Sequence, residues 1–273
     1  MSEREEEPEA GWDCRLCNGR TFVVFTLPVL GEYPVAYCRC QDCESLQTEP
    51  PFWLDEAYAL NLSHLDTGAA QRNLENLSAC YALARLFRLA NTVDIGGGDG
   101  LLCRLLRDRG INCFVRDKYA QPTYAQGFTE PDFDRPDLVI ASEVLEHFAH
   151  PRAELDALFA LEPQVLFATT DLYSAEREDW WYLSRDTGQH VFFYSRKALE
   201  CVAARHRYVL VANGSLLVFV KPERLTPLRR QLLRLVLRGK VRRLLRVLMA
   251  ALPVRGASRD YLLVKSRAPA EAA

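Results

Sequence analysis

A glycine-rich turn, VDIGGGDG, spans Val93 to Gly100 and is the first feature of this sequence that could bind a ligand. It follows a short apolar run and precedes LLCRLLRD, a helix-like segment. Gly96 and Gly98 can adopt backbone angles closed to other residues, and they let a ligand approach the main chain. In open α/β sheets such a loop, after the first strand, marks the usual binding crevice. The turn therefore predicts a ligand site, with a tight turn that binds nothing as the alternative.

Two acidic segments narrow the class of ligand. Asp117 ends the second predicted strand, about 20 residues after the glycines, where a carboxylate can accept hydrogen bonds from ribose hydroxyls. The second segment, DLVIASEVLEHF, runs from Asp137 to Phe148 and carries the motif EVLEH directly after a predicted strand. A ribose-bearing ligand fits Asp117, and a solvated loop aspartate is the alternative for this residue.

Together, D-x-G-x-G-x-G, the acid after the second strand and EVLEH resemble the pattern of class I methyltransferases that use S-adenosylmethionine (SAM). The resemblance covers roughly residues 70 to 222 and implies a seven-stranded sheet that ends in an antiparallel hairpin. The third strand of that pattern, between Tyr119 and Pro136, is not visible in the sequence. The residues that the resemblance implies for SAM are Asp94, Gly96 and Gly98 at the methionine part, Asp117 at the ribose, and Ser142 and Glu143 lining the crevice.

Two closely spaced cysteine pairs, Cys14-x-x-Cys17 and Cys40-x-x-Cys43, lie among short β-like runs near the N-terminus. Their separation is near the spacing of zinc ribbons. Four thiolates would close a tetrahedral site, which stabilises structure and leaves no position for catalysis. Cys38 could replace Cys40 as a ligand, and ordinary buried cysteines are the alternative. The remaining cysteines, Cys80, Cys103, Cys113 and Cys201, are predicted to be core residues.

A four-cysteine module joined to a SAM domain resembles the sugar C-methyltransferases and their relatives. The segment DTGQHVFFYS resembles their E-H-x-x-Y-F-S stretch, in which the histidine is a general base. Carried to this sequence, that residue is His190, and Gln189 replaces the glutamate. His147, within EVLEH, is a second candidate on the acceptor side. A histidine suits proton removal near neutral pH; a structural histidine bonded to backbone is the alternative for each.

These residues need a scaffold, and strands alternate with helices from Thr92 to about Pro222. Alternation of this kind implies a doubly wound α/β sheet, and the Asn213-Gly214 step predicts an antiparallel hairpin. The sequence thus predicts a Rossmann-like doubly wound sheet with a C-terminal antiparallel hairpin, a small N-terminal zinc-ribbon-like module and C-terminal basic helices. The predicted strands are TVDIGG, NCFVRD, DLVIAS, QVLFATT, YVLVANG and SLLVFVK. The predicted segments are a disordered acidic start (1–10), a zinc-binding module (11–50), a helical linker or cap (51–90), the SAM-dependent methyltransferase domain (91–222) and a basic helical tail (223–273).

The 273 residues carry a formal net charge of −2, so no overall charge bias points to nucleic acid as a partner. The sequence predicts a cytoplasmic protein, since no signal-peptide pattern or membrane-spanning apolar run is visible. The basic tail carries leucines at helical spacing, which predicts peripheral contact with an anionic membrane. A helical appendage packed on its own domain is the alternative.

The leading hypothesis is an enzyme that transfers a methyl group from SAM to a small molecule or glycan. A sugar of surface polysaccharide biosynthesis is one candidate acceptor. The other hypotheses are an RNA methyltransferase, whose basic tail would follow a phosphate backbone, and a non-catalytic scaffold with a SAM-type fold.

Overall fold

The computed structural model describes residues 11–59, 66–175, 177–254 and 256–267. The acidic start predicted for residues 1–10 lies outside them. Contacts divide the chain into two compact units. Unit 1 contains the described residues of Met1–Asp66, Glu143–Ala160 and Thr169–Leu210; unit 2 contains those of Thr67–Ser142, Leu161–Ala168 and Val211–Ala273. The units are defined by contacts in space, and the domain limits drawn along the sequence stay predictions.

The described residues form ten strands and eight α-helices, joined by turns and loops. The strands are β1 Thr21–Val29, β2 Tyr33–Cys40, β3 Leu46–Thr48, β4 Asn91–Ile95, β5 Asn112–Arg116, β6 Leu138–Ser142, β7 Val165–Thr169, β8 Phe192–Phe193, β9 Val209–Asn213 and β10 Leu216–Val220. The helices are α1 Leu54–Ala59, α2 Ala69–Phe87, α3 Leu101–Asp108, α4 Pro151–Ala160, α5 Arg196–Arg205, α6 Pro227–Val236, α7 Gly239–Ala250 and α8 Gly256–Arg267.

A six-stranded sheet, ordered β5-β4-β6-β7-β10-β9, carries the core of unit 2. Strand β4 pairs in parallel with both β5 and β6, and α3 connects β4 to β5, as expected for a βαβ unit. Only two residues separate β9 from its neighbour β10, and so short a connection requires antiparallel pairing. The predicted Rossmann-like sheet, its six strands and its terminal hairpin are confirmed.

The seventh strand implied by the resemblance is not formed. No strand occurs between Tyr119 and Pro136, all of which the structure describes. Beyond edge strand β5, a turn segment takes that place: the Val115 amide donates a hydrogen bond to the Phe128 carbonyl at 2.9 Å. The sequence of this segment, rich in proline, glycine and aspartate, explains why it forms turns instead of a strand.

Helix α2 packs Leu77, Ala84 and Phe87 into the core of unit 2. Leu74 is exposed instead, because it lies one turn before the part of the helix that packs. At the other end of unit 2, Asp260 of α8 receives a two-fold hydrogen bond from buried Arg107 of α3. Such a buried ion pair holds α8 against α3, because loss of one partner would leave the other charge buried and unpaired.

Unit 1 is built on a four-stranded sheet of order β1-β2-β3-β8 whose pairings are all antiparallel. Strand β8 comes from a distant part of the chain and pairs through Phe193 with Leu46. An aromatic core that includes Tyr37 and Trp53 covers this sheet. Trp53 Nε1 also donates a hydrogen bond to the Gly188 carbonyl at 2.8 Å. The sheet therefore places the segment around His190 next to strands of the cysteine-rich region, within one unit.

The prediction that four cysteines are core residues is correct for Cys80, Cys103 and Cys113, which are buried. It is wrong for Cys201, which is exposed because it lies on the solvent side of α5. In the part of the chain that the structure describes, no helix combines the length and the apolar character needed to cross a membrane.

Candidate functional site

The glycine turn after β4 depends on residues without side chains. Gly96 and Gly98 both lie in the left-handed region, with φ angles of 67° and 57°. That conformation is strained for other residues. A side chain at Gly98 would meet no atom within 4 Å, so space is open above this part of the turn. The turn thus presents its backbone to an open space, as a ligand-binding loop must.

Gly97, which the sequence analysis left without a role, is the tightest point of the turn. A Cβ atom built there would lie 2.6 Å from Asp94 Oδ2 and 2.7 Å from Val115 Cγ2. The turn and the carboxylate beneath it can therefore pack together only if residue 97 is glycine. The run of three consecutive glycines, Gly96 to Gly98, is the sequence pattern from which this requirement could have been predicted.

Asp94 is a buried carboxyl group, and its Oδ2 atom has no hydrogen-bond partner among the described residues. Burial, followed by the charge of Asp117, raises the pKa of Asp94 to about 8. A buried polar atom without a partner is unfavourable. A cationic ligand group would supply the missing partner, and the ammonium of a bound amino-acid moiety has that chemistry.

Asp117 holds the turn through backbone amides. Its Oδ2 accepts a hydrogen bond from Gly98 N at 2.9 Å, and its Oδ1 accepts from Tyr119 N and Ala120 N at 2.8 and 2.7 Å. A carboxylate has about four lone-pair positions, so Asp117 retains capacity for a further donor such as a ribose hydroxyl.

Ser142 ends β6, and its hydroxyl accepts a hydrogen bond from Asn76 Nδ2 at 2.6 Å. Asn76 is a buried residue of α2. The sequence alone did not reveal this role, because the residues next to Asn76 in the chain do not distinguish it from the other polar residues of α2. It orients the Ser142 hydroxyl within unit 2. Here the structure brings together Asp94, Gly96, Gly98 and Asp117 of the predicted SAM residues; their role in SAM binding stays a prediction.

Glu143 belongs to unit 1, where it stands in the left-handed region with φ of 53°. Its amide donates to the Thr169 carbonyl at 3.0 Å, and its Oε1 accepts from the Thr169 hydroxyl at 2.7 Å. Its Oε2 lies 3.3 Å from the Tyr182 hydroxyl oxygen. Non-glycine residues in this conformation occur mostly where the surrounding structure enforces them, often at functional sites.

Tyr182 is the centre of a buried polar network in unit 1. Its hydroxyl donates a 2.6 Å hydrogen bond to Oε1 of Glu146 and lies 3.1 Å from the Thr170 hydroxyl. Burial and the charges of Glu146 and Glu143 raise the pKa of Tyr182 well above its usual value. The phenol therefore stays protonated and can act as a donor to Glu146. Glu146 lies within the EVLEH motif but was not given a role in the sequence analysis.

The two candidate histidines, His147 and His190, lie next to each other in unit 1. Their ring centroids are 4.9 Å apart, and the edge of one ring faces the plane of the other. His190 Nδ1 lies 2.7 Å from the Tyr182 carbonyl. A carbonyl only accepts, so Nδ1 carries the proton and the lone pair of neutral His190 is at Nε2.

His147 stays neutral over the ordinary pH range. Burial, followed by the charge of His190, lowers the pKa of His147 to about 3, although a backbone hydrogen bond with Gln189 acts in the opposite direction. Its Nδ1 is buried and has no hydrogen-bond partner among the described residues. One donor atom from each of Glu146, His147 and His190 lies within 4.8 Å of the others.

Four thiols meet in a separate cluster of unit 1. The Sγ atoms of Cys14 and Cys43 are 3.6 Å apart, and those of Cys17 and Cys40 are 3.5 Å apart. All four lie within 4.8 Å of one another. Bonds of about 2.3 Å to a tetrahedral zinc place sulfur atoms roughly 3.8 Å apart, which the cluster nearly matches.

The Cys38 thiol is not part of this group, so Cys40 supplies the fourth thiol of the cluster. Beside it, Arg15 joins the cysteine region to both histidine segments. Its guanidinium donates hydrogen bonds to the carbonyl of Ala149, after EVLEH, and to that of Val191, after His190. The geometry of the acceptor-side candidates therefore depends on the cysteine module of the same unit.

The C-terminal helices combine apolar exposure with basic charge. Leu233, Leu237 and Met249 are buried in the core of unit 2. The leucine stripe singled out in the sequence points away from that core for the most part, with Leu228 65% and Leu244 58% exposed. From Lys221 to Arg255 the chain has eleven lysine and arginine residues and one acid, Glu223.

Comparison with known proteins assigns a central part of the chain to a family. The family described as "Methyltransferase domain" matches residues 63–213, more than half of the chain. No curated protein matches this chain.

Several solved structures are similar to this chain. One is an O-methyltransferase from neocarzinostatin biosynthesis in complex with S-adenosyl-L-homocysteine and 1,4-dihydroxy-2-naphthoic acid, with 16% identity over 49% of this chain and 50% of that chain and a TM-score of 0.39. An O-methyltransferase family protein from Burkholderia thailandensis shows 13% identity over 60% of this chain and 61% of that chain, with a TM-score of 0.46. The similar regions thus span 50% and 61% of these two proteins' own lengths. Magnesium protoporphyrin IX methyltransferase from Synechocystis PCC 6803 shows 15% identity over 63% of this chain and 95% of that chain, with a TM-score of 0.43.

Proposed function

This chain belongs to the methyltransferase domain family, and we propose that it transfers a methyl group from SAM to a small-molecule or glycan acceptor. The observation that carries the proposal is a carboxyl oxygen of buried Asp94, beneath an open glycine turn, for which the described residues provide no hydrogen-bond partner. SAM supplies a methyl group on a sulfonium that is already electrophilic. The protein's task is therefore to bind, orient and exclude water.

The residues of unit 2 divide the binding of SAM between them. Asp94 would accept from the ammonium of the methionine part, which favours its ionised form and satisfies its buried oxygen. Asp117 would accept from the ribose while it holds the turn through Gly98 N. The left-handed glycines, Gly96 and Gly98, would let the cofactor approach the backbone. Ser142 completes the residues of unit 2 that the resemblance implies; Glu143, the remaining residue of that prediction, belongs to unit 1.

The acceptor-side residues belong to unit 1. His190 has its proton fixed at Nδ1 by the Tyr182 carbonyl, so Nε2 is the atom that would take a proton from an acceptor hydroxyl or acidic carbon. His147, held neutral by burial, is a weaker proton acceptor and would contact the acceptor instead. A sugar hydroxyl or ring carbon of a surface glycan is one acceptor that fits this chemistry.

We also propose that Cys14, Cys17, Cys40 and Cys43 bind one structural zinc ion. The thiol spacing described above supports the proposal. A hydrogen bond between the thiols, with burial acting against it, lowers the pKa of Cys43 to about 5, so one thiolate is already favoured. Four thiolates would fill the coordination sphere and leave no position for an acceptor.

We further propose that the exposed leucines of α6 and α7 contact an anionic membrane surface. Each lysine or arginine near such a surface contributes about 1 kcal/mol, and the exposed leucines would enter the headgroup boundary. In vesicle sedimentation, binding should need phosphatidylserine, weaken with salt and fall in Leu244→Ser/Leu248→Ser but not in Leu262→Ser, a matched change in α8. Equal behaviour of the two variants would contradict the proposal, and binding to RNA instead would favour the RNA methyltransferase.

The enzymatic proposal is tested with SAM labelled on its methyl group. The protein is incubated with nucleotide sugars, lipid-linked glycans and phenolic small molecules, and label in the acceptor fraction is counted. Transfer by the wild type that is lost in Asp94→Asn is expected. Tight SAM binding without transfer to any acceptor class would favour the non-catalytic scaffold.

A further inference from the structure

We infer that Glu146, His147 and His190 form a binding site for one divalent cation, separate from the four-cysteine cluster. The inference deepens the proposed function, because it concerns the same acceptor-side residues. It also changes the part played by His190: the Nε2 lone pair would hold a metal ion in place of a proton.

The donor atoms have the spacing and chemistry of a metal site. One carboxylate oxygen and two imidazole nitrogens lie within 4.8 Å of one another. Two metal bonds of roughly 2.0–2.2 Å span at most about 4.4 Å, so a small inward movement of these side chains completes the site. Two histidines and one carboxylate are a ligand set that leaves coordination positions open for other molecules.

Neighbouring groups fix each ligand in a form that can bind a cation. The Tyr182 carbonyl keeps the proton of His190 at Nδ1, which leaves the lone pair at Nε2. The Tyr182 hydroxyl donates to Oε1 of Glu146 at 2.6 Å and so orients the carboxylate. Hydrogen bonds of this kind to the outer side of metal ligands are typical of metal sites. His147 adds a buried Nδ1 atom for which the described residues provide no partner.

The charge and polarity of the site select the kind of cation. Glu146 is fully buried, and a buried carboxylate is stabilised by a nearby positive charge. Imidazole and carboxylate ligands suit manganese, iron, cobalt and zinc, whereas four thiolates prefer zinc. The two clusters of unit 1 therefore differ in preference. A cation at Glu146, His147 and His190 would bind an acceptor oxygen at an open position and lower the pKa of that oxygen.

The test uses full-length protein loaded with a single equivalent of zinc, which the four thiolates take up first, titrated with Mn²⁺ and followed by the electron paramagnetic resonance signal of free Mn²⁺. Wild-type protein should remove one equivalent. His190→Gln and Glu146→Gln should each weaken Mn²⁺ binding at least about 10-fold. The matched control is His150→Gln, because His150 is exposed and lies three positions from His147. His147→Gln is expected to behave like the ligand variants; if it does not fold, the other two decide.

No Mn²⁺ binding by the wild type would overturn the inference, and so would equal affinity in His190→Gln, Glu146→Gln and His150→Gln. SAM binding, measured by calorimetry on the same samples, separates this inference from the proposed function. SAM binding and methyl transfer without a Mn²⁺ site would defeat the metal assignment alone. A Mn²⁺ site in a protein that binds no SAM would defeat the methyltransferase proposal alone.

Discussion

The two compact units hold the acidic groups of their candidate sites in different ways. In unit 2, Asp117 is fixed by three backbone amides, and Asp94 lies under a turn of glycines. In unit 1, Glu146 is fixed by the Tyr182 side chain. A site formed by backbone depends on the conformation of one loop, whereas a site formed by side chains depends on each partner separately. We therefore expect a substitution in one site to change ligand binding at that site and to leave ligand binding at the other site unchanged. The size of the change should also differ between the two sites.

The largest effect is expected from loss of the cysteine cluster. A structural zinc ion contributes about 10–16 kcal/mol of apparent binding free energy in small zinc domains, so Cys14→Ser should unfold the cysteine-rich region of unit 1 and release zinc. Metal content and thermal unfolding measure this, with exposed Cys201→Ser as the control. SAM binding by unit 2 should persist. Retention of one zinc by both variants would remove Cys14 from the zinc site, and loss of SAM binding together with the zinc would refute the independence of the two units.

Asp94→Asn should weaken SAM binding by roughly 10- to 100-fold, because a hydrogen bond to a charged group contributes about 1.5–3 kcal/mol. Calorimetry measures the affinity, and Asp134→Asn, a change of an exposed acid in unit 2, is the control. The Mn²⁺ affinity of unit 1 should not change. Wild-type SAM affinity in Asp94→Asn would remove Asp94 from the cofactor site.

Gly97→Ala tests the site of unit 2, which is formed by backbone. The added Cβ would collide with Asp94 and Val115, and overpacking of this kind costs about 1–3 kcal/mol of unfolding free energy. Denaturant unfolding measures the loss. Gly239→Ala is the matched control, since a Cβ there meets no atom within 4 Å. Equal stability of the two variants would show that the turn is looser than described.

Tyr182→Phe tests the side-chain network of unit 1. Loss of one hydrogen bond to buried Glu146 should lower the unfolding free energy by about 1–2 kcal/mol. If Tyr182 positions a metal ligand, Mn²⁺ affinity should fall as well, whereas SAM affinity should not. A drop in stability with unchanged Mn²⁺ affinity would reduce Tyr182 to a structural residue.

A separate prediction concerns pH. The pKa of Asp94 is about 8 in the folded protein, against about 3.9 in an unfolded chain. The folded state therefore binds this proton more tightly, and the stability that it contributes is lost as the pH rises through 8. Unfolding free energy measured between pH 6 and 9 should fall less steeply in Asp94→Asn, whose side chain does not titrate. Parallel curves would contradict the raised pKa.

Local patterns in the sequence were enough to predict the strands of the six-stranded sheet. The strands, the hairpin at Asn213-Gly214 and the left-handed glycines each follow from a few adjacent residues. The missing strand between Tyr119 and Pro136 was also visible as an absence of pattern. Gly97 and Asn76 escaped notice because their roles are contacts across the fold: one with a carboxylate beneath the turn, the other with Ser142, 66 residues away.

The side-chain network of unit 1 could be predicted only in part. The histidines were found through motifs, but Tyr182 lies 36 residues from the glutamate that it contacts. No local spacing joins such positions, so only the folded chain brings them together. The choice between Cys38 and Cys40 had the same origin. Cys38 and Cys40 are two positions apart, so the alternation of side chains along a strand places both on the same face and does not choose between them.

The most direct test of the account is calorimetric titration of the wild-type protein with SAM and with S-adenosylhomocysteine, its demethylated product. The account predicts saturable binding of one equivalent of each, in the micromolar range and weakened by Asp94→Asn. If the folded, zinc-loaded protein binds neither ligand, the assignment of SAM to the glycine turn and Asp94 is contradicted.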